Sequence, residues 1–301
     1  MQPIEFAKLS GSGNDFVCID NRDGRYDEVV SDPSRVGHFA RSICKRGLSV
    51  GADGVIFALS PETPEHADVA ARFFEADGTE AELCGNGTAC FVHWMIGHRC
   101  NRGPELYILT PAGIVRGRNS DNKYVRVCIP LPEEIHTDVQ LTVAGAPLTC
   151  DYAITGVPHV VKYVQDIDKV DIDRLGRRIR HHERFAPRGA NANFVEVLAE
   201  GRIAIRTFEF GVEAETLACG TGSASAAILT AMRNQWPAEY FHAEKPVEVL
   251  ARSGDTLRIY FEMNDEGKIV DLCLETVVRY VYSGVLHPEL ADLSLNGVTA
   301  S

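Results

Sequence analysis

Two cysteines open near-identical glycine turns, Cys84-Gly85-Asn86-Gly87 and Cys219-Gly220-Thr221-Gly222, the second 135 positions after the first. Each turn runs into a stretch of small residues with helical character. A thiol at the start of a helix faces unpaired backbone N–H groups and the positive end of the helix dipole, and both favour the thiolate and lower its pKa. The same N–H groups form an anion site suited to a carboxylate, and Gly85 and Gly220 let the backbone approach a ligand closely. Two such turns around one ligand would hold a carboxylate between two dipoles and present a sulfur to each face of its α-carbon. One thiolate would take the α-proton while the opposite thiol returns one, inverting the carbon, and the dipoles would stabilise the enolate-like charge that develops.

A single Cys-Gly-x-Gly turn is as readily a helix cap over a buried thiol; two of them in a repeated frame reverse that balance. A hydrolase with a nucleophilic Cys–His pair needs one special cysteine rather than two equivalent ones. A phosphate loop needs GxGxxG or a following Lys-Ser/Thr, and neither turn supplies it.

The elements that must position these turns also repeat. Phe74-Glu75-Ala76-Asp77-Gly78 precedes the first turn and Phe208-Glu209-Phe210-Gly211 the second; Gly13-Asn14-Asp15-Phe16 is echoed by Gly156-Val157-Pro158-His159, and Gly51-Ala52-Asp53-Gly54 by Gly189-Ala190-Asn191-Ala192. Segments recurring in one order at similar offsets mark a duplicated chain. Strand patterns dominate, at 16–20, 54–59, 69–75, 106–109, 124–129, 159–164, 193–198, 203–208, 256–263 and 277–282. Helices are fewer: one from Asp32 (N-cap) and Pro33 to about Lys45, one from about Val170 to Arg180, and the two behind the turns, 87–96 and 222–232. The expected fold class is α+β, with two pseudo-symmetric domains. Each is a mostly antiparallel sheet wrapped around one central apolar helix, with the reacting site in the cleft between them. Residues 1–132 with 276–301 form the half that carries Cys84, and residues 133–275 the half that carries Cys219.

Composition narrows the function classes. A chain of 301 residues with 45% hydrophobic and 24% charged residues is a typical globular sequence. Its net charge of −12 argues against broad nucleic-acid binding. No apolar run reaches the roughly 18 residues of a membrane span, and the first residues lack a signal-peptide pattern, so a cytoplasmic protein is expected. The nine cysteines include no CxxC pair, so neither a metal site nor a disulfide framework is expected. Cys18, Cys128 and Cys273 lie in strand-like runs and read as small buried hydrophobes.

The motifs Gly13-Asn14-Asp15-Phe16, Gly51-Ala52-Asp53-Gly54, Ala76-Asp77-Gly78-Thr79-Glu80, Cys84-Gly85-Asn86-Gly87, Pro158-His159, Ala190-Asn191 and Glu215-Thr216-Leu217-Ala218-Cys219-Gly220-Thr221-Gly222 run in order across the whole chain. Together they resemble the diaminopimelate epimerases, amino-acid epimerases that work with two thiols and no cofactor. The resemblance implies Cys84 and Cys219 as the acid/base pair and His159 and Glu209 as residues that tune the thiols. It also implies Asn14, Gly85, Asn86, Asn191, Gly220 and Thr221 as substrate-binding residues. It implies no cofactor and no metal, a small-molecule amino-acid substrate, and room for a homodimer.

This chain departs from the family where the far end of the substrate is gripped. Phe210 follows Glu209 where the family has Arg, Glu75 precedes Ala76-Asp77-Gly78 where it has Asn, and Val157 precedes Pro158-His159 where Asn is common. Losing the Arg removes a bidentate partner for a distal carboxylate, and Glu75 would repel that carboxylate while attracting a cation. The leading expectation is LL- to meso-diaminopimelate conversion for lysine and peptidoglycan synthesis, with Arg184, Arg188 or Arg206 supplying the missing cation. The alternative is a racemase of another, basic amino acid: lysine, ornithine, diaminobutyrate or histidine. An isomerase of a non-amino carboxylate and a non-catalytic binder of small anions are further rivals. The retained thiol pair argues against the former.

Overall fold

Residues 3–120 and 123–289 are described in the computed structural model, and their contacts divide the chain into two units. The first unit runs to Val127 and resumes at Val278; the second spans Cys128–Val277. The boundaries expected from sequence are 132/133 and 275/276. The backbone of Ile129 instead bonds to Leu272, which places the start of that loop with the second unit. Residues 290–301, assigned above to the first half, lie outside the described residues.

The first unit opens with β1 (Glu5–Gly11) and β2 (Asn14–Asp20), joined through Ser12 and Gly13. Both turn residues have positive φ, 46° and 101°, the two-residue hairpin geometry whose twist matches its strands. Helix α1 (Asp27–Val30) leads to α2 (Pro33–Ile43), whose N-cap Asp32 accepts from the N–H groups of Ser34 and Arg35. Val36, Phe39, Ala40 and Ile43 recur at helical spacing, and that face of α2 is buried. Next come β3 (Gly54–Leu59), parallel to β2, then β4 (Val69–Glu75) and the short return strand β5 (Glu80–Ala81). The thiol turn at Cys84 starts α3 (Gly85–Gly97), which is buried nearly all round, as its apolar composition requires. Strands β6 (Leu106–Thr110), β7 (Gly113–Asn119) and β8 (Tyr124–Cys128) follow.

The second unit repeats this order: β9 (Glu134–Val143), β10 (Ala146–Thr155), β11 (Val157–Tyr163), α4 (Ile172–Arg180), β12 (Asn191–Ala199), β13 (Arg202–Glu209), β14 (Ala214–Thr216), α5 (Gly220–Arg233), α6 (Ala238–Phe241), β15 (Val247–Leu250), β16 (Thr256–Met263) and β17 (Ile269–Val285). The parallel pairs β2–β3 and β4–β6 have counterparts in β11–β12 and β13–β15. In the first unit the ring β1-β2-β3-β4-β6-β7-β8 is closed by β17, which pairs with β1 and β8. In the second unit β10 to β13, β15 and β16 all pack on α5. Each unit is thus a strand layer folded around the helix that follows its thiol turn. Among the described residues no helix is long and apolar enough to cross a membrane.

Three corrections to the sequence reading emerge. The thiol helices begin at Gly85 and Gly220, two residues earlier than expected, because Cys84 and Cys219 are themselves the N-caps. Strands β1, β5, β7, β9, β10, β14 and β15 lie outside the expected set. Cys128 and Cys273 are not isolated hydrophobes but are joined in a disulfide.

The second unit tolerates little extra bulk where α4 crosses β13. A Cβ on Gly176 would stand 2.5 Å from Phe208 Cβ. Gly176→Ala should cost about 1–3 kcal/mol by overpacking, read as a lower urea midpoint with an unchanged slope; an unaltered midpoint would mean that α4 shifts off β13 without penalty.

Candidate active site

The two thiol centres are built alike from the backbone up. In each, a two-stranded return (β4–β5, β13–β14) delivers the chain to a cysteine in extended geometry, and the following glycine begins the helix. Cys84 has φ −130° and ψ 114°, and Cys219 has φ −122° and ψ 112°. Neither thiol is in a disulfide. The fourth turn residue must be small in both. A Cβ on Gly87 would press on Cys84 Cβ and the Phe16 ring at 3.3 Å, and one on Gly222 would stand 2.5 Å from Asn193 Oδ1 and 3.2 Å from Cys219 Sγ.

In the first unit a charged chain backs the turn. Arg46 pairs with Asp15 and, at 2.7 Å, with Asp53. Asp53 accepts from Asn14 Nδ2 at 3.2 Å, so the Asn14 carbonyl oxygen faces Asn86, whose Nδ2 donates to it at 2.8 Å. Asn86 is 3% exposed, and its Oδ1 has no hydrogen-bond partner among the described residues. This acceptor, on the second residue of α3 and two residues from Cys84, keeps an unmet hydrogen-bonding capacity in a buried setting. Burial works against the Asp15 carboxylate, but Arg46 and Lys8 outweigh it and hold its pKa below the usual carboxylate range.

The second unit uses a neutral chain instead. Asn193 Nδ2 donates to the Val160 carbonyl at 3.0 Å, which fixes the orientation of the amide, and it reaches His159 Nδ1 at 3.3 Å. Nδ1 is then the bare, accepting nitrogen. Nε2 carries the hydrogen and donates to Thr221 Oγ1 at 3.0 Å, leaving the Thr221 hydroxyl hydrogen for Cys219 Sγ, 3.7 Å away. His159 is fully buried, and burial pushes its pKa down to about 3, so the whole chain stays uncharged at neutral pH.

Cys219 itself departs from the expectation of a lowered pKa. Burial pushes its thiol well up, and the neighbouring Glu209 carboxylate pushes it further; the Gly222 N–H and the Thr221 hydroxyl pull the other way and are outweighed. Removing the sulfur from water costs the thiolate more than the helix start returns. At rest Cys219 is a protonated thiol with a carboxylate beside it.

The other expected positions divide. Gly85 and Gly220 are the first residues of α3 and α5. Asn191 is buried and uses its Oδ1 to hold the Phe210 N–H at 2.6 Å. Glu75 ends β4, exposed, at the register position that Glu209 occupies on β13. Phe210 is exposed, and the cation against its ring is Arg180, 4.3 Å from the centroid. Arg180 is itself buried and engaged with Glu213 at 3.1 Å and the Arg188 carbonyl at 3.0 Å. Of the expected substitutes, Arg206 is committed to a two-pronged pair with Glu215, while Arg184 and Arg188 are exposed. Sequence reasoning missed Asn193, Arg46 and Arg180. Asn193 had a readable signal, because two residues beyond Asn191 on a strand puts it on the same face.

A family model described as diaminopimelate epimerase matches residues 6–127 and 152–272. The diaminopimelate epimerase of Aquifex aeolicus is 38% identical over 291 residues, covering 96% of this chain and 100% of that protein. That of Chlorobaculum tepidum is 36% identical over 289 residues, covering 92% and 99%. Among solved structures, a PhzF-family phenazine biosynthesis protein of Bacillus anthracis has a TM-score of 0.71 at 19% identity, covering 95% of this chain and 100% of its own. A probable proline racemase of Agrobacterium radiobacter has a TM-score of 0.70 at 14% identity, covering 97% and 95%. At these identities the structures establish the fold alone.

Asn193→Asp tests the neutral chain. A carboxylate oxygen would face His159 Nδ1, move the hydrogen to that nitrogen, and turn the Thr221 hydroxyl toward Nε2 and away from sulfur. Losing a charge-assisted hydrogen bond of about 1.5–3 kcal/mol should slow Cys219 alkylation by iodoacetamide about tenfold or more at fixed pH and move its pH profile upward. An unshifted profile would refute the relay.

Proposed function

The chain belongs to the diaminopimelate epimerase family, and from that membership we propose that it inverts an amino-acid α-carbon by two-thiol proton transfer, converting LL- to meso-diaminopimelate in lysine and peptidoglycan biosynthesis. The observation that carries this reading is the duplication of the thiol N-cap: two cysteines in the same extended geometry, each opening a buried helix inside its own strand layer. The α-carboxylate is received by the N–H groups of a helix start, around Gly85–Asn86 or Gly220–Thr221. The open Asn86 Oδ1 takes a hydrogen from the α-ammonium group, which favours an amino acid over a plain carboxylate. Cys219 begins as the acid; when it must act as base, Glu209 accepts its proton and Thr221 donates to the sulfur left behind. Cys84 plays the opposite part, so that a proton leaves one face of the carbon as another arrives on the other. The charge that develops on the α-carbon and its carboxylate is stabilised by the helix-start N–H groups, so the mechanism calls for no cofactor. A homodimer belongs to the same reading, supported by Tyr280, Val281, Tyr282 and Val285, which lie exposed along the second half of β17.

A second reading, a racemase of a basic amino acid, is supported by the surroundings of Phe210. The cation behind its ring is already neutralised by Glu213 and is buried, while Glu75 offers an exposed carboxylate at the matching place in the first unit.

Cys84→Ala and Cys219→Ala should each lower epimerisation by about 100-fold or more with the fold intact by circular dichroism; full activity in either would end the two-thiol mechanism. Solvent-deuterium wash-in at Cα, screened over diaminopimelate, lysine, ornithine, diaminobutyrate and histidine, should be fastest for diaminopimelate. If a basic amino acid wins instead, Phe210→Arg should move preference toward diaminopimelate about tenfold or more; no movement would remove Phe210 as the discriminating residue.

A further inference from the structure

Cys128 ends β8 and Cys273 lies on β17, the strand paired with it. Their sulfurs are bonded across 145 residues of sequence, with the Cα atoms 3.9 Å apart. Cys128 is also where the chain enters the second unit, and β17 carries it out at Val277. Backbone contacts join the same two segments, among them the Ile129 N–H to the Leu272 carbonyl at 3.0 Å. Asp271, two residues before Cys273 and therefore on its face of the strand, holds both carboxylate oxygens 3.9 Å from Cys273 Sγ. On β16, Glu262 stands opposite Asp271. Cys128 is half-buried and Cys273 is 5% exposed.

We propose that Cys128 and Cys273 are an oxidation-responsive modification site, separate from the thiols of the glycine turns, which a hydroperoxide converts from dithiol to the disulfide that fastens β8 to β17. The two sulfurs divide the work by environment. The Asp271 carboxylate accepts the S–H of buried Cys273, whereas Cys128 is the more accessible sulfur and reacts first. The Cys128 thiolate attacks the distal peroxide oxygen, giving a sulfenic acid and releasing an alcohol or water. Cys273 sulfur then attacks the Cys128 sulfur; the S–S bond forms, hydroxide leaves, and the Cys273 proton passes through Asp271 to complete a water molecule. Two thiols lose two hydrogens and two electrons, and one peroxide O–O bond is reduced. The closed form constrains the unfolded chain over nearly the whole second unit, so oxidation stabilises that unit without consuming Cys84 or Cys219.

The test uses the full chain, reduced and then exposed to limiting hydrogen peroxide. Non-reducing peptide mapping should give one dominant cross-linked pair, Cys128 with Cys273, two hydrogens lighter than the separate peptides. Thermal unfolding of the oxidised protein should rise by about 5–10 °C over the reduced protein, and dithiothreitol should reverse it. The rise should vanish in Cys128→Ser and Cys273→Ser, with the reduced wild-type chain as reference should either variant fold poorly. A dominant cross-link through any other cysteine, or an oxidised protein no more stable than the reduced one, would overturn the proposal. So would a tightly bound zinc ion on Cys128, Cys273 and Asp271 that keeps the pair reduced until chelated.

Discussion

One ion pair, made twice, sets the position of both glycine-turn thiols. Arg72 grips Glu80 through Nε at 2.6 Å and its terminal nitrogen at 2.7 Å, and Arg206 grips Glu215 in the same fork at 2.6 and 2.8 Å. Each fork ties a long strand to the short return strand that feeds the thiol turn, β4 to β5 and β13 to β14. The cysteine stands four residues beyond the glutamate in both cases. A slip of one residue in either pairing would turn every following side chain to the other face, and the thiol would point away from its helix start. Such a pair adds little net stability once its desolvation is counted. Its two-pronged geometry specifies register, and register is what a thiol at a helix N-cap requires.

Once register is set, the local electrostatics oppose one another, and burial wins. From sequence, a thiol beside helix N–H groups should ionise easily. In the folded second unit, the desolvation of Cys219 outweighs both the Gly222 N–H and the Thr221 hydroxyl. The conflict is settled by how deeply the turn sinks into the strand layer, a quantity that no local motif contains. The same burial that raises the thiol also keeps His159 neutral, so the relay through Asn193, His159 and Thr221 orders hydrogens without bringing charge near the sulfur. A cationic imidazole there would hold the thiolate and remove the acid.

Much of this was legible because period and punctuation are local. Strands Gly54–Leu59, Val69–Glu75 and Thr256–Met263 lie where their apolar patterns place them, and Asp32 caps its helix as its spacing from Pro33 requires. The duplicated turns carried the family and the fold. What stayed hidden was set by partners distant in sequence. Strands β9 and β10 expose many polar side chains and acquire their strand character chiefly from pairing with each other. Arg180 meets Phe210 only because α4 packs across β13. Cys128 and Cys273 are ordinary strand residues until their strands are paired side by side.

The repeated frame makes its divergence informative. In the first unit the polar chain behind the turn ends in charge, Arg46 upon Asp53 and Asp15, and it presents an open amide oxygen at Asn86. In the second unit the corresponding turn residue is Thr221, the chain behind it is neutral, and it ends in a hydroxyl aimed at sulfur. Duplication supplied two helix starts with matching geometry. Substitution at one turn residue and the strand beside it then gave one turn a charged backing with an unpaired amide oxygen, and the other a neutral chain that ends at its own thiol. The inequality lies in how each unit fills the space behind its glycine turn, and Gly222 leaves that space open for Asn193.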